Sequence, residues 1–418
     1  MRELIEELYP LCRSITGDGV RRTLEILARH VPLEIHEVAS GTRVLDWEVP
    51  YEWNIREAWI AGPRGERVVD FAAHNLHVVS YSAPLRRRMS LEELRTHLHA
   101  LPDRPDWIPY RTSYYQEDWG FCLTQKQLDA LEPGEYEVCI DSSLAPGHLT
   151  WGECLLPGES DEEILLSAHV CHPSLCNDNL SGVAIAARLA RERAGRRHRH
   201  GLRFLFAPGT IGAISWLARN RERVSRIRHG LTLTCLGDAR PLTYKRTFSG
   251  DAPVDRAMRH VLRSRAREHQ VVDYSPYGYD ERQFNSPGLR LAVGSLMRGQ
   301  SGRFPEYHTS ADDLDFVLDG QLVDALEVLD EWIDLLEGDA RYRNLSPDGE
   351  PQLGRRGLYR TLGGAGDPEE LQLAMLWVLT VSDGSHTLLD AAERSGLRFA
   401  TVRAAADLLL GHGLLELA

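Results

Sequence analysis

The chain has 418 residues, 43% of them apolar and 26% charged, with a formal net charge of −13. That length buries a sizeable core over two or three domains without disulfides, and seven irregularly spaced cysteines are not a secreted framework. The acidic balance argues against nucleic acid as a partner, because phosphate binding rests on clustered Lys and Arg, and against an acidic polymer as substrate.

The N-terminal MRELIEELYPLCRSITGDG lacks the apolar core of a signal peptide, and no run approaches the roughly 18 apolar residues of a membrane span. A reducing cytoplasm is the expected compartment, with no membrane partner. Lys126 and Lys245 are the only lysines, a composition we assign to codon bias toward arginine.

Residues 2–30 carry apolar positions at helical spacing on either side of a Gly-Asp-Gly turn at Gly17 to Gly19, which predicts two helices. From about Val44 to Gly147, DWEVPYEWNIREAWI, NLHVVSYS, GFCLT and GEYEVCIDS are short β-rich runs between Pro and Gly turns, the pattern of a mostly β domain. The strand-like runs ILLSA (164–168), RFLFA (203–207) and LTLTCLG (231–237) then alternate with helices from about Leu180 and Ile211. That alternation predicts right-handed βαβ units and a parallel sheet. RERAGRRHRH (191–200) is read as a solvated loop, and a helix over about 321–336 closes the domain. The Gly/Pro/Arg-rich stretch from Asn344 to Gly366 reads as a linker. The tail then reads helix, SDGS turn, helix, longer helix and short LLEL strand, the rhythm of a winged helix-turn-helix. From 368 to 418 it carries seven acids against three arginines, which points to protein contact or packing and not to DNA.

Chemistry concentrates after the first core strand, in ILLSAHVCHPSLCNDNLSGVA (164–184), where an apolar run ends in two histidines and an acid-amide cluster. Open α/β sheets place chemistry at this end of their strands. CLGDARPLTYKRTFSGD (235–251), YGYDERQFNSPG (277–288) and FPEYHTSADDLDF (304–316) repeat the pattern of Asp, Glu or His near a strand end or turn. His169 or His172, Asp178, Asp238 and His308 are the nitrogen and oxygen donors that zinc prefers.

YPLCRSITGDGVRRTL, DWEVPYEWNIREAWI, NLHVVSYS, IPYRTSYYQEDWGFCLT, CHPSLCNDNLSG, TIGAISWL, YGYDERQFNSPG, EYHTSADDLDF and WVLTVSDGS together resemble the DUF4910 aminopeptidase-like proteins, which are related to the M28 zinc aminopeptidases. The resemblance implies an α/β phosphorylase/hydrolase-like core with one or two zinc ions, an inserted DUF2172-like β domain and a C-terminal winged helix. The implied boundaries are 1–43 plus 149–343 for the core, 44–148 for the insert, 344–366 for the linker and 367–418 for the winged helix.

On the M28 pattern, His169 and Asp178 match the first ligand motif, with Asp178 as the bridging carboxylate and His172 competing with His169. Asp238 and His308 match the later ligands. Two departures stand out. The Glu-Glu pair that supplies the M28 general base is replaced around Gly209, and the Asp of His-x-Asp by Cys171. Asp280 and Glu281 are the nearest acidic candidates for the missing base. Glu281 is expected to act as base or as a clamp for a substrate ammonium, oriented by Asp280 and Arg282, with Tyr279 and Tyr307 expected to border the pocket. The expected function is zinc-dependent hydrolysis of an amide next to a free amine, on a small peptide or aminoacyl substrate in polysaccharide or secondary-metabolite biosynthesis. The alternative is a binding or scaffold protein that keeps the fold and docks a partner through its tail. A homo-oligomer is expected, with the tail as a possible contact.

Overall fold

The computed structural model describes residues 1–300, 302–358 and 368–418. Contacts divide the chain into two compact units, 1–250 with 270–326, and 251–269 with 327–418.

The first unit is built on a mixed sheet. In chain order its strands are β1 (Glu34–Ala39), β2 (His148–Leu156), β3 (Glu163–His169), β4 (Gly201–Ala207), β5 (Ile227–Leu233), β6 (Leu242–Lys245), β7 (His269–Val272) and β8 (Val293–Met297). Their order across the sheet is β1-β2-β4-β3-β5-β8-β6-β7. β3 and β4 are buried along their whole length, which is why ILLSA and RFLFA read as continuous apolar runs without alternation.

The expected parallel sheet is realised only at the centre, where β3 pairs in parallel with β4 and β5, and β5 with β8. The pairs β1–β2, β2–β4 and β6–β8 are antiparallel. The reason lies in the connections: helices Gly182–Arg193 and Ile211–Arg219 provide the crossovers that β3 to β4 and β4 to β5 require, while β2 reaches β3 through a short loop.

The β-rich segment forms its own antiparallel sheet from Arg67–Asp70, Glu52–Ala61, Glu135–Ala145 and Leu85–Ser90. NLHVVSYS is not a strand. Asn75–His77 is a short 3-10 turn, followed by single bridges from Val78 to Phe121 and Ser80 to Thr112. The 191–200 run also departs from expectation, since Arg193, His198 and His200 are buried.

The second unit carries a three-stranded sheet, with Arg341–Asn344 between Asp383–Thr387 and Leu415–Leu417, and helices Pro368–Val381, Leu388–Ser395 and Phe399–Gly411. The SDGS turn is therefore the start of a strand. The helix Pro253–Ser264 joins this unit because Arg256 pairs with Asp390 at 2.7 Å and the Phe399 amide donates to His260 Nε2 at 3.2 Å. Of the linker stretch, residues 359–366 lie outside the described residues. Among the described residues no helix is long and apolar enough to cross a membrane.

Candidate metal centre

β3 delivers His169 to the carboxyl end of the sheet, and the loop that follows it is buried throughout residues 170–181. A buried loop must satisfy its own polar groups, and this one does so against the loop after β5. Asn179 Nδ2 donates to the Leu233 carbonyl at 2.9 Å, the Gly237 amide to Asn177 Oδ1 at 2.7 Å, and the Leu236 amide to Ser181 Oγ at 2.9 Å. Gly182 has to be glycine, because a Cβ there would fall 2.5 Å from the Leu233 carbonyl oxygen.

Asp178, 1% exposed, is the focus. Its Oδ1 lies 2.8 Å from His169 Nε2, and its Oδ2 lies 3.0 Å from His308 Nε2 and 3.5 Å from His172 Nδ1. Ligand atoms of His169, His172 and Asp178 all fall within 4.8 Å of one another. Burial alone would raise the Asp178 carboxyl, but the imidazoles outweigh it and hold it well below its ordinary value. Burial lowers His169 to about 4 and moves His308 the same way. At neutral pH the centre is an ionised carboxylate among imidazoles, with His169 and His308 neutral, the protonation states a cation needs in its ligands.

His169 and His172 both lie in this group. His308 joins through Asp178, from a loop in which it takes a left-handed φ of +57°. Asp238 does not enter the group. Its oxygens accept from Asn177 Nδ2 at 2.8 Å, the Arg240 amide at 2.8 Å and the Gly299 amide at 3.2 Å, so its lone pairs tie three loops together.

The description "Domain of unknown function (DUF4910)" matches residues 2–339, and a winged helix-turn-helix description matches 340–417. The chain belongs to the DUF4910 family. It is 51% identical over 414 residues to a Clostridium acetobutylicum protein named for polysaccharide biosynthesis and an aminopeptidase-like domain, covering 99% of this chain and 95% of that one. A crystal structure of a C. acetobutylicum protein described as a peptidase superposes with a TM-score of 0.95 at 50% identity, covering 100% and 96% of the two chains. A zinc aminopeptidase from Bacillus subtilis shares the fold at a TM-score of 0.58 and 12% identity, over 79% and 93% of the chains. An M28 peptidase precursor from Shewanella amazonensis does so at 0.55 and 13%, over 79% and 91%.

In this DUF4910 chain the two departures from the M28 pattern are in contact with each other. The Gly209 amide donates to Cys171 Sγ at 3.2 Å, and the Tyr279 hydroxyl lies 3.5 Å from the same sulfur. A Cβ on Gly209 would fall 1.7 Å from that hydroxyl, so Tyr279 fills the space a side chain at 209 would need. Its ring packs on His169 with centroids 3.9 Å apart. Gly209→Ala is therefore expected to destabilise the fold by about 1–3 kcal/mol, the usual cost of overpacking. Urea denaturation in wild-type and Tyr279→Ala backgrounds checks this, because the penalty should shrink by more than half once the ring is gone.

Glu281, 1% exposed, accepts from Lys245 Nζ at 2.7 Å and from the Tyr279 amide at 3.0 Å. These bonds tie the Tyr279 backbone to the Lys245 ammonium through one carboxylate. Asp280 Oδ1 accepts from the Thr210 amide at 2.7 Å, and burial raises the carboxyl to about 7. Arg282 is exposed. Tyr307 stacks on His308 with centroids 3.9 Å apart.

Three further residues escaped the sequence reading. Asp312, fully buried, accepts the Asp178 amide at 2.9 Å, and burial pushes it up to about 8. Arg13, 1% exposed, donates Nε to the His172 carbonyl at 2.8 Å. Tyr110, from the β-rich segment, sets its ring edge-on to His172 and His308 at 5.2 and 5.1 Å. Of the three, only Asp312 carried a signal, in the acid pair of HTSADD.

Proposed function

We propose that this protein is a zinc-dependent hydrolase of an amide bond next to a free amine. The observation that carries the reading is the convergence of His169, His172 and His308 on the buried carboxylate of Asp178. The donor set fits zinc: nitrogen and oxygen atoms, all protein-derived, with His172 Nδ1 buried and without a hydrogen-bond partner. Zinc held there supplies Lewis acidity to a substrate carbonyl and to water. Asp178 supplies the negative charge that holds the cation, and Asp312 and Arg13 fix the loops that carry Asp178 and His172. The Tyr279 hydroxyl, kept neutral by burial, lies beside Gly209 at 3.5 Å from Cys171 Sγ.

Of the two acids offered as base, Asp280 is the one without an ion pair among the described residues, its Oδ1 accepting from the Thr210 amide while Glu281 is held by Lys245, and its carboxyl is raised by burial to about 7. The carboxylate is the active form, so kcat/KM should rise about tenfold per pH unit below about 7 and level off above it, and Asp280→Asn should remove that limb. The same shift fixes a stability trend of the opposite sign. The folded state holds the Asp280 proton after the unfolded chain has released it, so this contribution is complete below about pH 4 and lost as pH rises through about 7. Thermal melts of wild type and Asp280→Asn across that window check it.

The name of the C. acetobutylicum relative supports a substrate from polysaccharide biosynthesis. A second reading, a binding protein that retains the metal centre without turnover, is favoured by the Tyr279 ring that closes the space at Gly209. Metal analysis of protein purified without added metal, followed by assays on aminoacyl-anilides, separates the two. Zinc with hydrolysis supports the first, zinc without hydrolysis of any amide supports the second, and no zinc overturns both.

A further inference from the structure

A cleft of about 760 Å³ borders the candidate centre at His308, with Tyr110 and Tyr307 also among its lining residues. One wall comes from the β-rich segment and the other from the His308 loop. The two are laced together: the Tyr110 amide donates to the His308 carbonyl at 2.8 Å, the Ser310 amide to the Ile108 carbonyl at 2.8 Å, and the Ile108 amide to Ser310 Oγ at 2.9 Å. A ligand therefore meets fixed walls.

The charges on those walls run against the character of the chain. Acids outnumber Lys and Arg by 61 to 48 overall, yet the cleft is lined by Arg104 and Arg111 against the single acid Asp103. Most arginines around the site are spoken for, as Arg240 is by Asp238 and Arg298 by Asp324. Arg104 and Arg111 form no ion pair among the described residues. Arg104 lies 5.2 Å from the Trp107 ring, with NH1 3.4 Å from the Asp103 carbonyl. Arg111 is exposed. A guanidinium without a carboxylate partner presents a planar fork of donors suited to a carboxylate or phosphate.

We propose that the substrate carries an anionic group, a carboxylate or a phosphate, remote from its scissile amide, and that Arg111 and Arg104 receive it. The proposal rests on the hydrolase reading for the amide and adds the class of substrate. It places specificity in the β-rich segment, whose Arg104, Tyr110 and Arg111 line this cleft. Asp103 leaves the cleft cationic and disfavours a second anion near Arg104.

The test uses the zinc-loaded full chain and three amides with the same aminoacyl part: an anilide, a 4-carboxyanilide and the amide of 4-aminophenyl phosphate. Wild type is expected to show kcat/KM for at least one anionic amide about tenfold above the anilide, and the anion with the larger ratio identifies the source. Arg111→Gln should bring the ratio close to one, Arg104→Gln should lower it part of the way, and Arg111→Glu should drive it below one. Equal kcat/KM for all three amides in wild type, or an unchanged ratio in Arg111→Gln, overturns the anion proposal and leaves the hydrolase reading standing. Absence of hydrolysis overturns the hydrolase reading, and calorimetric titration with the same compounds then decides: equal affinity overturns the proposal, and about tenfold tighter anion binding that Arg111→Gln removes supports it.

Discussion

Asp178→Asn is expected to purify with little or no zinc and to lose at least about 10³-fold in kcat/KM, about 4 kcal/mol of barrier. The substitution keeps the side chain's shape and removes its charge. In the wild type that carboxylate is 1% exposed and faces three imidazoles, and among the described residues it is the carboxylate within 3.5 Å of all three. Asn in its place supplies one neutral acceptor and directs an NH2 at an imidazole nitrogen, which removes the attraction for a cation and adds a donor where a ligand is needed. The loop itself should survive, since the Asp312 bond to it runs through the backbone amide of residue 178. Circular dichroism and thermal melting close to wild type, with zinc lost by elemental analysis and turnover lost with aminoacyl-anilides, is the expected pattern. Zinc content near that of wild type would remove Asp178 from the centre of the site.

The elements that gave this site away in the sequence are those where burial and chemistry conflict. A buried strand followed by His169, His172 and Asp178 is a polar break in an apolar run, and the strand-end rule located it. The same rule also picked out Asp238, in the loop after β5: from one-dimensional order, a carboxylate that binds a cation looks the same as one whose oxygens accept from Asn177, Arg240 and Gly299. Arg13 and Tyr110 were not legible because each acts on a partner far along the chain, Arg13 on the His172 carbonyl and Tyr110 on the faces of His172 and His308. The Gly209 departure could be noticed alone, but its complement, Tyr279, lies 70 residues later and only their contact explains both. The strand Asp383–Thr387 was hidden by local turn chemistry at Asp383 and Gly384, and its pairing partner Arg341–Asn344 precedes it by some forty residues.

Arg203→Leu is expected to destabilise the protein by about 3–5 kcal/mol, the largest stability effect we predict. Arg203 sits on β4, the neighbour of the strand that ends in His169, and is 4% exposed. Its register places Leu155 and Leu165 directly across, so its guanidinium reaches diagonally to Glu153 on β2 and Glu163 on β3, at 2.6 Å each. Trp216 Nε1 donates to the same Glu153 oxygen that accepts from Arg203, at 3.0 Å. Replacing the guanidinium with an isobutyl group leaves two carboxylates buried at 5% and 4% exposure with their main counter-charge gone, and the penalty comes from those stranded charges far more than from the lost bonds. Neutralising the site as a whole should therefore recover most of the loss: Arg203→Leu with Glu163→Leu and Glu153→Gln, which keeps an acceptor for Trp216, is expected within about 1–2 kcal/mol of wild type. Urea denaturation followed by tryptophan fluorescence measures both variants, with Trp216 reporting beside the site. If the single and triple variants lose stability equally, lost packing and not stranded charge governs this part of the sheet.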